Sequence, residues 1–155
     1  MTDQQTAALE LLRQTRLNTL GLFQAYSSER LNKVPDGFRN NLMWNAGHVI
    51  ATMELLVYGL SGVKTPSGRE FIDRYRKGTA PDGPASVEDE AYIGKMLLGG
   101  IDQLSEDLER MDLNQFKEYQ TSYGVKLTNV AEALQFNNMH EAMHLGTMLA
   151  MRKLV

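Results

Sequence analysis

Asn137-Asn138-Met139-His140-Glu141-Ala142-Met143-His144-Leu145-Gly146 is the stretch on which the reading of this chain turns. It holds two of the three histidines, four residues apart, and one turn of an α-helix carries such a pair onto one face. The helix around it starts at Asn129, with Glu132 three residues on, and runs to the C-terminus. At about 100° per residue, Gln135, Asn138, Ala142 and Lys153 mark its expected solvent face. His140 and His144 project to roughly the opposite side, beside Ala133, Phe136, Asn137, Thr147, Met148 and Met151. A buried imidazole needs a hydrogen-bond partner or a metal for its ring nitrogens, and two side by side repel when both are protonated. The pair therefore reads either as metal ligands or as a core pair hydrogen-bonded to Asn137 or Thr147.

The third histidine lies far upstream, in Trp44-Asn45-Ala46-Gly47-His48-Val49, on a helix spanning about Asn41 to Leu60. Almost everything around that helix is apolar or small except Glu54 and one sector formed by Asn41, Asn45, His48 and Thr52. If the sector faces solvent, His48 is a surface residue, which is what amphipathicity alone implies. If it faces a polar cavity, His48 is a ligand with Asn41, Asn45 and Thr52 as neighbours. Periodicity leaves both open, although the bulk of Trp44, one turn earlier, favours the interior. Facing helices of a bundle are a usual place for ligands to meet.

Two further helices complete the pattern. The first covers 3–28 behind a Thr2–Gln5 capping box, and Leu9, Leu12, Leu20 and Phe23 share one face with Arg16 in its middle. Arg16 either lays its stem over the core and reaches water, or lines an interior cavity and holds a substrate carboxylate or phosphate. Residues 61–85 turn to Gly, Pro, Ser and charge, a long crossover by the standard of bundles. Ser67 with Glu70 can cap a short helix there, through Tyr75. The basic cluster Arg69, Arg74, Arg76 and Lys77 is either solvated surface or a ligand-binding group. Such a crossover lets the next helix, Ser86 to about Met111, run parallel to its predecessor. Gly99-Gly100 is a candidate bend in it or a place for a neighbouring backbone to approach, and Thr121 to Leu127 reads as an extended ribbon around Gly124.

Composition sets the outer limits. At 155 residues the chain reads as a single domain, 1–155, and its net charge of −3, from 16 basic and 19 acidic residues, gives no reason to expect nucleic-acid or membrane-surface binding. No apolar run approaches a bilayer span and no signal-peptide pattern opens the chain, so a cytoplasmic protein is expected. The chain has no cysteine, so any thiol chemistry requires a thiol from outside.

Taken together, the His48 motif, the 25-residue crossover, the segment around Tyr123-Gly124 and the His140–His144 motif resemble the DinB/YfiT-like superfamily over nearly the whole chain. Order and spacing carry the resemblance more than any one motif. It implies an all-α four-helix bundle of up-down-down-up topology with the long crossover between helices 2 and 3, frequently a homodimer. It also implies a three-histidine metal site onto which His48, His140 and His144 map. Members include metal-dependent thiol S-transferases that use bacillithiol, mycothiol or related thiols, and the mycothiol-dependent maleylpyruvate isomerase.

Three neutral imidazoles would leave one divalent metal, Zn or Ni first and Fe or Mn also admissible, with open coordination positions. Such a site could activate water or lower the pKa of a bound thiol. The leading expectation is a thiol S-transferase with a low-molecular-weight thiol cosubstrate. The alternatives are a metal-dependent hydrolase and a non-enzymatic metal- or ligand-binding dimer. His140-Glu141-Ala142-Met143-His144 also reads H-E-x-x-H, which makes Glu141 a candidate general base, but an upstream third ligand on another helix argues against that protease class. Asn45, Asn137, Thr52, Thr147, Trp44 and Arg16 are the expected pocket residues around the metal.

Overall fold

The computed structural model describes residues 1–112 and 115–155. Four long helices dominate: α1 (Asp3–Gln24), α3 (Leu42–Glu54), α5 (Val87–Arg110) and α6 (Val130–Met151). Two short ones, α2 (Ser28–Asn32) and α4 (Gly68–Tyr75), lie in the connections, and α3 continues into a π-helical turn, Leu55–Gly59. The ribbon before α6 is an antiparallel pair, β1 (Tyr119–Gln120) and β2 (Lys126–Leu127), with Tyr119 opposite Leu127. No helix among the described residues is long and apolar enough to cross a membrane.

Side-chain caps set most helix starts. Thr2 and Gln5 form the reciprocal box of α1, while Asn41, Ser86 and Asn129 accept from the backbone N–H three residues on. Two expectations fail for the same kind of reason. The first helix stops at Gln24 instead of reaching 28, because Ser27 turns out to cap α2 by accepting from the Arg30 N–H. Ser67 does not cap α4; its hydroxyl donates to Glu54 Oε1 at 2.5 Å, and its N–H donates to Glu54 Oε2. The buried Glu54 thereby holds the crossover against α3. Gly99-Gly100 does not interrupt α5.

α1 packs against α5 and α6, and α3 packs against the same two helices. One apolar cluster includes Leu22, Phe23, Ile50, Ile93, Leu97 and Met148; a second includes Leu9, Leu12, Met53, Ile101, Leu104 and Leu134. Arg16 is 0% exposed. It neither reaches water nor waits for a substrate anion, because its Nε and Nη2 donate to Glu141 at 2.5 and 2.8 Å. Its remaining bonds go to the carbonyls of Val49 and Leu97. One side chain of α1 thus binds α3, α5 and α6. Gln135 and Ala142 on α6 and Lys153 just beyond it are exposed as expected, but Asn138 is buried. Its amide donates to the Ala8 carbonyl because α1 covers that sector, which helical phase alone could not reveal.

Removing one partner of a buried pair strands the other charge. Arg16→Met is therefore expected to lower unfolding free energy by about 3–5 kcal/mol, whereas Arg16→Met with Glu141→Leu should cost clearly less than Arg16→Met alone. Urea titrations of both variants measure this; equal losses would show that the charge left behind is not the cause.

Candidate metal centre

His48 comes from α3 and His140 and His144 from successive turns of α6, across the α3–α6 contact. One ligand-capable nitrogen of each lies within 4.8 Å of the others. The ring centroids are 5.2 Å apart for His48–His140, 4.7 Å for His48–His144 and 4.5 Å for His140–His144.

Hydrogen bonds on the far sides of two rings determine which nitrogen is free. His48 Nδ1 lies 2.7 Å from the Tyr75 carbonyl oxygen, which can only accept, so Nδ1 carries the proton. Its Nε2 then presents a lone pair, met by the Thr52 hydroxyl at 3.3 Å. His144 Nδ1 lies 2.7 Å from Asn45 Oδ1. The Asn45 amide nitrogen is committed to the Asn41 carbonyl, also at 2.7 Å, so its oxygen faces the ring and His144 Nε2 is left bare. His140 differs: its Nδ1 is buried without a hydrogen-bond partner.

Local sequence explains the placement. A Cβ on Gly47 would stand 2.4 Å from the Tyr75 ring, so glycine beside His48 is what lets the crossover close down and bring its carbonyl to the imidazole. Trp44, one turn earlier, stacks on His48 with centroids 4.5 Å apart and planes 12° off parallel, and its indole N–H donates to Thr79. The polar sector of α3 therefore faces the interior, and His48 is only 4% exposed.

Burial makes all three imidazoles poor bases. Desolvation lowers His48, opposed by its bond to Tyr75. It brings His140 down to about 3, helped by His144, His48 and Arg16, and His144 to about 4, helped by His48. All three are neutral at pH 7, the form that ligates a metal. Two outer hydrogen bonds that orient rings, neutral nitrogens facing one another and an orphaned buried nitrogen on the third ring together fit a borderline divalent cation.

The other expected residues divide. Asn45, Trp44 and Thr52 touch the histidines directly. Asn137 instead donates to Glu141 at 2.8 Å, and the Thr147 hydroxyl donates to the Met143 carbonyl of its own helix. Neither therefore makes the alternative hydrogen-bonded pair. Both Glu141 oxygens are occupied by Arg16 and Asn137, so this carboxylate is not a free base. Tyr75 was not legible as a site residue, because it contributes through its backbone; the glycine preceding His48 was the available signal. Beside His48 and His140 opens a cleft of about 460 Å³ walled by Thr52, Leu55, Leu56, Leu60 and Phe136. Leu55 and Leu56 belong to the π-helical turn, a feature frequent at functional sites.

The profile of the DinB superfamily matches residues 11–148. No curated protein matches the chain significantly. Among solved structures, the crystal structure of a conserved protein from Enterococcus faecalis is similar, with a TM-score of 0.66 at 15% identity. The likeness covers 100% of this chain and 98% of that one, and at such identity it speaks for the fold alone.

Two outcomes are expected of this geometry. Asn45→Leu should weaken divalent-metal affinity about 10–100-fold by releasing the His144 tautomer, as read by competition with a chelator; unchanged affinity would mean the ring is oriented by something else. In metal-free protein the unfolded state binds more protons than the folded one between pH 6.5 and about 4. Stability from these groups is therefore fully present above pH 6.5 and declines as pH falls toward 4. Urea midpoints across that range should show the decline, and its slope should be shallower in His140→Gln.

Proposed function

The chain belongs to the DinB superfamily, and we propose that it is a metal-dependent enzyme of the thiol S-transferase type, with His48, His140 and His144 holding one divalent ion. The observation that carries this reading is the meeting of three neutral imidazoles at a cleft, two of them oriented by outer hydrogen bonds and the third with an unpartnered nitrogen. Zn or Ni suits three nitrogen donors best, with Fe and Mn also compatible. A bound divalent ion supplies Lewis acidity, which lowers the pKa of a thiol or water.

The chain's own residues prepare that chemistry. The Tyr75 carbonyl and Asn45 keep His48 and His144 in the tautomers that aim Nε2 inward. The Trp44 ring covers the face of His48 and excludes water from it. The Thr52 hydroxyl stands at the boundary between His48 and the cleft, where it can exchange a hydrogen bond with a molecule entering there. The lack of cysteine suits a nucleophile that arrives as a small thiol, and a low-molecular-weight thiol is kept reduced in the cytoplasm, where this reading puts the protein. A hydrolase is less well supported, since Glu141 is tied to Arg16.

The same reading takes the long helices as an up-down-down-up bundle. Support comes from paired contacts: Ala8 with Asn138 and Arg16 with Glu141 advance together along α1 and α6. Arg16–Leu97 and Arg13–Asp102 run in opposite directions along α1 and α5. It also takes the molecule as a homodimer, supported by the exposed uncharged face of Ala142, Met143, Gly146, Leu149 and Ala150 on α6.

Purified protein supplied with Zn or Ni should bind one ion per chain, and His144→Ala should abolish binding while circular dichroism stays unchanged. The metal-loaded form should conjugate a low-molecular-weight thiol, from a panel including bacillithiol and mycothiol, to monochlorobimane. A well-folded chain that takes up no divalent metal would overturn the site. Metal uptake without turnover for any thiol would leave the non-enzymatic binder.

A further inference from the structure

The cleft at His48 and His140 carries a charge pattern opposite to that of the chain around it. Acidic residues outnumber basic ones overall, for a net charge of −3. Yet among the described residues no Asp or Glu lines this cleft, and Lys77 and Lys117 do. The two lysines reach it from different segments, Lys77 from the crossover after α4 and Lys117 from the approach to β1.

Neither lysine has an ionic partner among the described residues. Of the four basic residues clustered in the crossover, Arg69 and Arg76 pair with Asp73, and Arg74 pairs with Glu70 and Asp89. Lys77 is the member with no ionic partner among the described residues. Glu118, next to Lys117, is engaged by Lys126 at 2.5 Å. Lys117 is also held in place, because its backbone N–H donates to the Leu60 carbonyl at 2.6 Å, just beyond the π-helical turn. Apart from the lysines and histidines the lining is mostly apolar, with Leu55, Leu56, Leu60 and Phe136, beside the hydroxyls of Thr52, Thr121 and Ser122. Two ammonium groups at a largely apolar cleft attract an anion and leave the rest of the ligand to be held by burial.

We propose that the molecule taken by this cleft is a small amphipathic anion, whose carboxylate or phosphate is held by Lys77 and Lys117 while its apolar body lies along Leu55, Leu56, Leu60 and Phe136. The inference rests on the reading of this cleft as the substrate approach to the histidines. It names the substrate's chemical class and makes the lysines binding residues.

The test compares octanoate, octyl phosphate and octanol by calorimetry, on zinc-loaded and on metal-stripped protein. Both anions should bind about tenfold more tightly than octanol in both forms, with the preference reduced at high salt. Lys77→Gln with Lys117→Gln should remove the preference and leave octanol binding unchanged, whereas Arg69→Gln should change neither. The relative strength of octanoate and octyl phosphate identifies the headgroup. Equal binding of all three ligands, no binding of any, or an anion preference that survives loss of both lysines would each overturn the proposal. Metal content is scored on the same samples. A chain that binds no metal but still selects anions through the lysines therefore separates failure of the metal reading from failure of this one.

Discussion

The rest of the structure depends on the guanidinium of Arg16, which is entirely out of water and bonded to Glu141 and to the backbone carbonyls of Val49 and Leu97. Burying an ion pair is costly, and the cost is met here only because the donors of one partner and the acceptors of the other are bonded in a fixed geometry. Asn137 adds a further bond to the same carboxylate. A centre of this kind does little for stability compared with a well-packed apolar one. What it adds is position: α1, α3, α5 and α6 all have a backbone or side-chain atom fixed to one planar group.

That fixed point also sets the rotation of α6. Glu141 follows His140 directly, so its side chain leaves the helix about 100° away from that imidazole. Once Glu141 is held on α1 by Arg16, His140 and His144 are turned toward α3, where His48 meets them. The helix is consequently buried on two polar sides at once, and its solvent-facing strip is made of small and apolar residues such as Ala142, Gly146 and Ala150. Ordinary amphipathic logic fails on such a helix, because polarity marks its interior. The positive charge of Arg16 also acts on the site, helping to keep His140 unprotonated.

The crossover supplies what the long helices lack. Glu54 fastens its start through Ser67, Gly47 admits the Tyr75 ring, and the Tyr75 carbonyl orients His48. Farther along, Lys77 lines the cleft. A connection between α3 and α5 that would otherwise be mere length thus contributes both to the orientation of His48 and to the charge of the cleft.

Sequence alone determined what depends on local spacing and chemistry. The helix starts at Thr2, Ser86 and Asn129 followed from their capping side chains, which bond to the backbone three residues ahead, whereas the cap at Asn41 was seen only in the structure. The inward phase of His140 and His144 followed from the helical period, and the absence of cysteine meant that the chain supplies no thiol of its own. Tertiary structure alone decided matters that rest on groups distant in the chain. Arg16 and Glu141 lie 125 residues apart, so no periodicity could show that each satisfies the other and that neither is free for substrate. The polar sector of α3 is inward because Tyr75 and Asn45 give His48 and His144 their partners, and Asn138 is buried because α1 lies over it. A period fixes the angle of a side chain on its own helix; what occupies the space at that angle is set by the packing of the others.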